Sequence, residues 1–162
     1  MKRQEHIGSS SIKKITILLA DDHADFRKSL KLLVEADGDI LIVGEAKNGR
    51  ETVRLTMSLH PDVVVMDIAM PLLNGLQATR QIMETSPATK VLILSARSDP
   101  EYIKQAVTLG ASGYLIKQAS AQFLLQAVRE VQKGSTYFSS SIPKRLRQEC
   151  QKIFDKGQRL KE

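Results

Sequence analysis

At 162 residues the chain is long enough for one sizeable core and too short for two ordinary domains. Hydrophobic content of 42% with no tryptophan suits an aliphatic core, and the single cysteine, Cys150, excludes an internal disulfide and fits a reducing cytoplasm. The net charge of +6 divides unevenly: residues 1–14 carry four basic and one acidic side chain, residues 143–162 seven and three, and the body between them thirteen and fourteen. The body is nearly neutral and the ends are basic, so the high pI is no evidence for a nucleic-acid-binding fold; solvated ends are the expected reading. No apolar run approaches the roughly 18 residues that span a bilayer, and the polar first eleven residues do not read as a secretory signal.

Along the chain, apolar β-branched runs alternate with segments of helical period. Ile15-Thr16-Ile17-Leu18-Leu19-Ala20 leads into Asp21-Asp22, and a helix over about 23–36 follows, with Leu30, Leu33 and Val34 on its inner face. Ile40-Leu41-Ile42-Val43 ends in Gly44-Glu45, before a helix that Asn48-Gly49 opens and Pro61 stops. Val63-Val64-Val65-Met66 leads into Asp67, then a helix over about 75–85; Val91-Leu92-Ile93-Leu94 leads into Ser95, then a helix over about 100–109 with Gly110 as its stop. Gly113-Tyr114-Leu115-Ile116 leads into Lys117, and Ser120 reads as the cap of a fifth helix that Gly134 closes. A sixth helical pattern covers about 142–157, with Leu146, Cys150, Ile153 and Phe154 on one stripe.

This alternation predicts a doubly wound α/β fold, a parallel sheet buried on both faces. The polar residues after four of the strands then gather at one edge of the sheet, where open α/β sheets bind ligands. Three carboxylates there repel one another by about 4 kcal/mol per pair at ~4 Å in a partly screened site, so protons or a cation must relieve them. An oxygen-only donor set selects a hard ion such as Mg²⁺. Lys117 adds a point charge for an anion and Ser95 a hydroxyl donor, which together describe a phosphoryl site in which one Asp is a possible nucleophile. Taken singly, Asp67 reads as a turn residue, Asp21 and Asp22 as helix caps, and Lys117 and Ser95 as solvated or turn side chains. His23 reads as structural.

The motifs that carry this chemistry resemble those of the receiver domain of two-component response regulators, over roughly residues 14–139. Ala20-Asp21-Asp22-His23 with Arg27 resembles its acidic-pair motif, and Asp67-Ile68-Ala69-Met70-Pro71-Leu72-Leu73-Asn74-Gly75 its phosphoacceptor loop. Leu94-Ser95-Ala96 resembles its hydroxyl motif, and Gly110 to Lys117 its aromatic-lysine motif. The spelling is closest to the LuxR/NarL-type subfamily. The resemblance implies a flavodoxin-like five-stranded sheet of order 2-1-3-4-5 with an extra C-terminal helix. It further implies that Asp67 accepts a phosphoryl group from a histidine kinase or phosphotransfer protein. Asp22, Asp67 and the backbone carbonyl of Ala69 would hold Mg²⁺, Asp21 acting through water; Lys117 and Ser95 would hold phosphoryl oxygens, and Tyr114 would turn inward as a switch together with Ser95.

The expected organisation is a flexible basic tail (1–13), the receiver (14–139) and a basic amphipathic helix (140–162). The expected function is a cytoplasmic, phosphorylation-controlled switch that changes its contacts with a downstream protein or a second copy, catalysing its own phosphotransfer and dephosphorylation rather than turning over a substrate. Gln118 stands where the family often has a proline after the lysine, which leaves the geometry of the Lys117–Gln118 bond open. No helix-turn-helix pattern follows, so the alternative is a transcriptional regulator whose DNA-binding half is missing or supplied by a partner. Direct DNA contact would then come through that partner or a basic tail. Aspartate-nucleophile phosphatases place their acids as Asp-x-Asp after the first strand, and flavin-binding flavodoxins need a phosphate loop where Asp21-Asp22 would repel phosphate; neither pattern fits.

Overall fold

A computed structural model describes residues 13–161; the expected N-terminal tail and the final residue lie outside the described residues, as do the side chains of Ala119 and Ser120 and so the predicted Ser120 cap. In chain order the elements are β1 (Ile15–Ala20), α1 (Ala24–Asp37), β2 (Ile40–Ala46), α2 (Gly49–Leu59), β3 (Val63–Met66), α3 (Gly75–Thr85), β4 (Lys90–Ser95) and α4 (Pro100–Thr108). Then come β5 (Gly113–Ile116), a 3₁₀ turn (Lys117–Ala119), α5 (Ser120–Gln132), β6 (Tyr137–Phe138) and α6 (Lys144–Lys161). The predicted strand order holds, and a sixth strand extends it: the sheet runs β2-β1-β3-β4-β5-β6, with every neighbouring pair parallel. β6 is only two residues long and sits at an edge, where half-buried residues need no apolar run to mark them.

Strand periodicity divides the core into two layers. Leu18, Ala20, Val64, Met66, Val91, Ile93 and Tyr114 point into the layer that α3, α4 and α6 cover. Their alternates Ile17, Leu19, Val63, Val65, Leu92, Leu94 and Leu115 point into the layer beneath α1 and α5. The expected stripe on the last helix is buried at Leu146, Cys150 and Phe154, which join the first layer together with Ile142. That helix runs four residues past Gly157, where the sequence suggested a stop; a glycine inside a helix costs about 1 kcal/mol and is tolerated when the flanking turns pack.

β2 departs from the common pattern for a visible reason. The β1–β2 register slips between Ile17 and Leu18, so that Ile17 faces Ile42 but Leu18 faces Gly44. One extra residue reverses the side on which everything after it points. Glu45 therefore turns to the α1 side, where it meets Arg27 Nε at 3.0 Å and Lys31 Nζ at 3.0 Å. Hydrogen bonding from Lys31, then from Arg27, holds the Glu45 carboxyl below the ordinary glutamate range despite partial burial.

Candidate functional site

Parallel register brings the site together. Ala20 faces Met66, Met66 faces Ile93, and Ile93 faces Tyr114, so β1, β3, β4 and β5 end at nearly one level. The ladder continues one residue further, with the Asp67 amide donating to the Ala20 carbonyl at 2.9 Å and the Asp21 amide to that of Ala46 at 3.0 Å. Asp21 and Asp67 are thus held side by side by backbone, each only 4% exposed, while Asp22 faces solvent.

Lys117 closes the pair. As β5 ends it enters the 3₁₀ turn with its ammonium 2.7 Å from Asp21 Oδ2 and 3.1 Å from Asp67 Oδ2, and 4.3 Å above the Phe26 ring. Every described peptide bond is trans, Lys117–Gln118 included. Burial alone would depress the Lys117 pKa, but hydrogen bonding and attraction from the two carboxylates outweigh it and hold the ammonium above its usual value. For Asp67 burial wins: together with the nearby Asp21 charge it pushes the carboxyl up, against the lowering pull of Lys117 and of the Ile68 amide at 2.8 Å.

The loop after Asp67 is shaped from both ends. At its far end Asn74 and Gln77 form a reciprocal capping box that starts α3. Gly75 follows because a Cβ there would lie 2.1 Å from the Asp67 carbonyl oxygen, so only glycine lets the helix approach this closely. Leu72 holds a positive φ at the loop tip, and Ala69 lies exposed two residues beyond Asp67.

Ser95 ends β4 almost fully buried, and its Oγ accepts from the Arg97 amide at 3.1 Å. Tyr114 has no exposed surface; its hydroxyl donates to the Arg97 carbonyl at 2.7 Å, and burial, first among several influences, pushes its phenol up to about 12. The resemblance implies an inward turn of Tyr114 on phosphorylation; in this structure the ring is already buried. Serine and tyrosine hold the two backbone groups of one residue, which ties the β4–α4 loop to the sheet.

His23 stands at the N-cap of α1, in keeping with a structural role, and its imidazole also turns to the acids: Nδ1 lies 2.9 Å from Asp21 Oδ1 and 3.2 Å from Asp22 Oδ1. Its spacing, one and two residues after the acids at a helix start, was the available signal for that contact. Asp21, Asp22, His23 and Asp67 each bring one donor atom within 4.8 Å of the others. Three carboxylates clustered at that distance, two of them buried, match the oxygen donor set of a hard divalent cation.

A profile of the response regulator receiver domain family matches residues 17–129. The chain is 35% identical over 133 residues to the nitrate/nitrite response regulator protein NarL of Escherichia coli K12, covering 82% of this chain and 62% of that protein. It is 34% identical over 145 residues to the transcriptional regulatory protein DegU of Brevibacillus brevis, covering 90% and 61%. Among solved structures, a LuxR-family two-component response regulator from Aurantimonas sp. SI85-9A1 superposes with a TM-score of 0.79 at 31% identity, covering 85% of this chain and 98% of that one. The response regulator domain of Thermotoga maritima CheB gives 0.71 at 31% identity, covering 75% and 98%. The chain spans about three fifths of the length of the curated relatives it matches. The chain belongs to the response regulator receiver domain family, with regulators of the LuxR/NarL type as its relatives.

Proposed function

We propose that the protein is a phosphorylation-controlled switch of a two-component system and that Asp67 is the residue phosphorylated. The observation that carries this reading is the Asp67 carboxylate, buried at a strand end with Lys117 at 3.1 Å and the Asp21-Asp22 pair within 4.8 Å. An Asp67 carboxylate oxygen would attack the phosphorus of a phosphohistidine on a kinase or phosphotransfer protein. The new P–O bond replaces the P–N bond, and the departing imidazole nitrogen retains the electron pair. Asp22, Asp67 and the Ala69 carbonyl would hold Mg²⁺, with Asp21 acting through water, and the ion would supply neutralising charge for phosphoryl oxygens. Lys117, already lodged between Asp21 and Asp67, would exchange carboxylate contacts for a phosphoryl oxygen.

The Ser95 hydroxyl accepts from Arg97 and retains its own proton to donate, so it can hold a second phosphoryl oxygen without releasing the loop. Phosphorylation would then consolidate the Tyr114-inward arrangement and bias the surface of α4 toward one of two states. In this reading residues 14–139 are the receiver, 140–162 its C-terminal helix, and the setting is cytoplasmic; no described helix is long and apolar enough to cross a membrane. Incubation with Mg²⁺ and acetyl phosphate should add one phosphoryl group by intact-protein mass spectrometry, and none to Asp67→Asn. No addition to the wild type, or equal addition to both, defeats the proposal.

Relatives named as transcriptional regulators favour a second reading, in which the switch governs a DNA-binding half outside these 162 residues. Sequence-specific DNA binding by this chain with its partners, surviving competitor DNA, would support it.

A further inference from the structure

α6 is amphipathic, with one face committed to the core and the other left to cations that pair with no described residue. Ile153 partly, and Leu146, Cys150 and Phe154 fully, face the core, and Lys104 of α4 pairs across the seam with Glu149 at 3.3 Å. On the outer side stand Arg145, Lys152, Lys156 and Arg159, all exposed. At 3.6 residues per turn these four fall within about 60° of arc, spaced about 10, 6 and 5 Å along roughly 21 Å of axis. None of them forms an ion pair with a described residue. Two acids are interleaved with the row: Glu149, between Arg145 and Lys152, is engaged by Lys104, and Asp155, next to Lys156, accepts from Gln151.

Part of this arrangement works against the helix: Lys152 and Lys156 are like charges one turn apart, and Arg145 lies in the first turn, where the helix dipole disfavours a cation, whereas Arg159 lies in the last turn, where the dipole favours one. Four exposed cations against two engaged acids leave this face net positive, and on a helix anchored by its opposite face such charge attracts an external polyanion. The row has no aromatic side chain, and Leu160, exposed beside its last two members, is a single apolar group at the helix end, too little to anchor a protein–protein hot spot. Its apolar face is buried, so the helix cannot lie in a membrane interface. A line of cations averaging one per about 7 Å can meet roughly every second phosphate of a duplex DNA strand, where phosphates recur every ~3.4 Å of axis.

We propose that the outer face of α6 docks on the phosphate backbone of duplex DNA without reading sequence. The site is separate from the acidic rim and does not depend on phosphotransfer at Asp67. The test uses the full chain and a fluorescein-labelled 20-base-pair duplex of arbitrary sequence, followed by anisotropy between 50 and 200 mM salt. Four phosphate contacts give a slope of log K against log salt near −3.6, a loss of roughly 100-fold across that range. Replacing Arg145, Lys152, Lys156 and Arg159 with Gln should abolish binding at 50 mM salt while leaving circular dichroism and Asp67 phosphorylation unchanged. Removing the same charge from exposed Lys28, Lys47, Arg50 and Arg54 should leave most of the affinity. Equal loss in both variants would reduce the effect to net charge and overturn the proposal, as would no binding by the wild type at 50 mM salt. Polyglutamate binding as tightly as the duplex would overturn it in favour of an acidic protein.

Discussion

The sheet rim and the outer face of α6 both concentrate charge, and they do so by opposite means. At the rim the charges are buried and face one another: Asp21 and Asp67 are each 4% exposed and share one ammonium. On α6 they are exposed and parallel, with no intramolecular partner among the described residues. Buried charges must be satisfied inside the fold, so the rim demands the whole sheet in register. Exposed charges cost less than buried ones, so the helix tolerates the mild repulsion within its row and leaves it available outward. The two regions meet through Tyr114, whose ring belongs to the same apolar layer as Leu146 and Phe154 and whose hydroxyl holds the loop that Ser95 also holds.

The contrast between the two regions holds only if α6 is part of the core and not an appendage. Phe154→Ala removes a nearly buried ring from the layer shared with Tyr114 and should cost about 3 kcal/mol, the low end for such truncations because the ring borders the surface. Urea unfolding followed by circular dichroism should remain a single transition. Two transitions, or a loss well under about 1 kcal/mol, would make α6 a separate unit. Cys150 gives an independent reading, being fully buried beneath the same helix. Its alkylation in native buffer should run at least about 100-fold slower than in the urea-unfolded chain, and Phe154→Ala should accelerate it.

A smaller effect tests the rim. Lys117→Met leaves the Asp21 and Asp67 carboxylates facing each other without their cation, and stability should fall by about 2 kcal/mol at pH 7, discounted from a fully buried pair because the lysine keeps some exposure. Adding Mg²⁺ should raise the melting temperature of this variant more than that of the wild type, because a divalent cation relieves the same repulsion. Equal shifts would mean that the ion binds elsewhere.

Much of this was legible beforehand, and the limits have physical causes. Asp21, Asp67, Ser95 and Lys117 could be placed because each follows an apolar run, and parallel strands in register bring such ends together. The order of the first five strands followed from the resemblance of the motifs. The direction of Glu45 was not legible, because a one-residue slip in β2 reverses its face while leaving the apolar run intact. β6 was missed because pairing against Gly113 and Tyr114, not composition, makes Tyr137 and Phe138 a strand. The stripe on α6 was visible as a period, but a period names a face and not its partner; that Leu146 and Phe154 join the layer of Tyr114 is a fact of tertiary packing. The contact of His23 with the acids was not legible for a related reason, since a cap position fixes the backbone and leaves the imidazole free to turn toward them.

The smallest prediction concerns an ion pair far from both regions, and it tests whether charge outside them matters. One Arg129 nitrogen on α5 lies 2.7 Å from each Asp37 oxygen at the end of α1, binding together the two helices that cover the second apolar layer. Hydrogen bonding from Arg129 is the main cause of the lowered Asp37 pKa, opposed by partial burial. A carboxylate whose folded pKa is depressed stabilises the fold above its unfolded value, near 3.8, and loses that contribution as pH falls through the folded value. Arg129→Gln should therefore cost about 1 kcal/mol at pH 7, a modest figure because the guanidinium is partly exposed. The gap between wild type and variant should stay constant down to about pH 5 and close below about pH 4. A gap that persisted undiminished below about pH 4 would mean that Arg129 acts by packing its methylene stem and not by its charge.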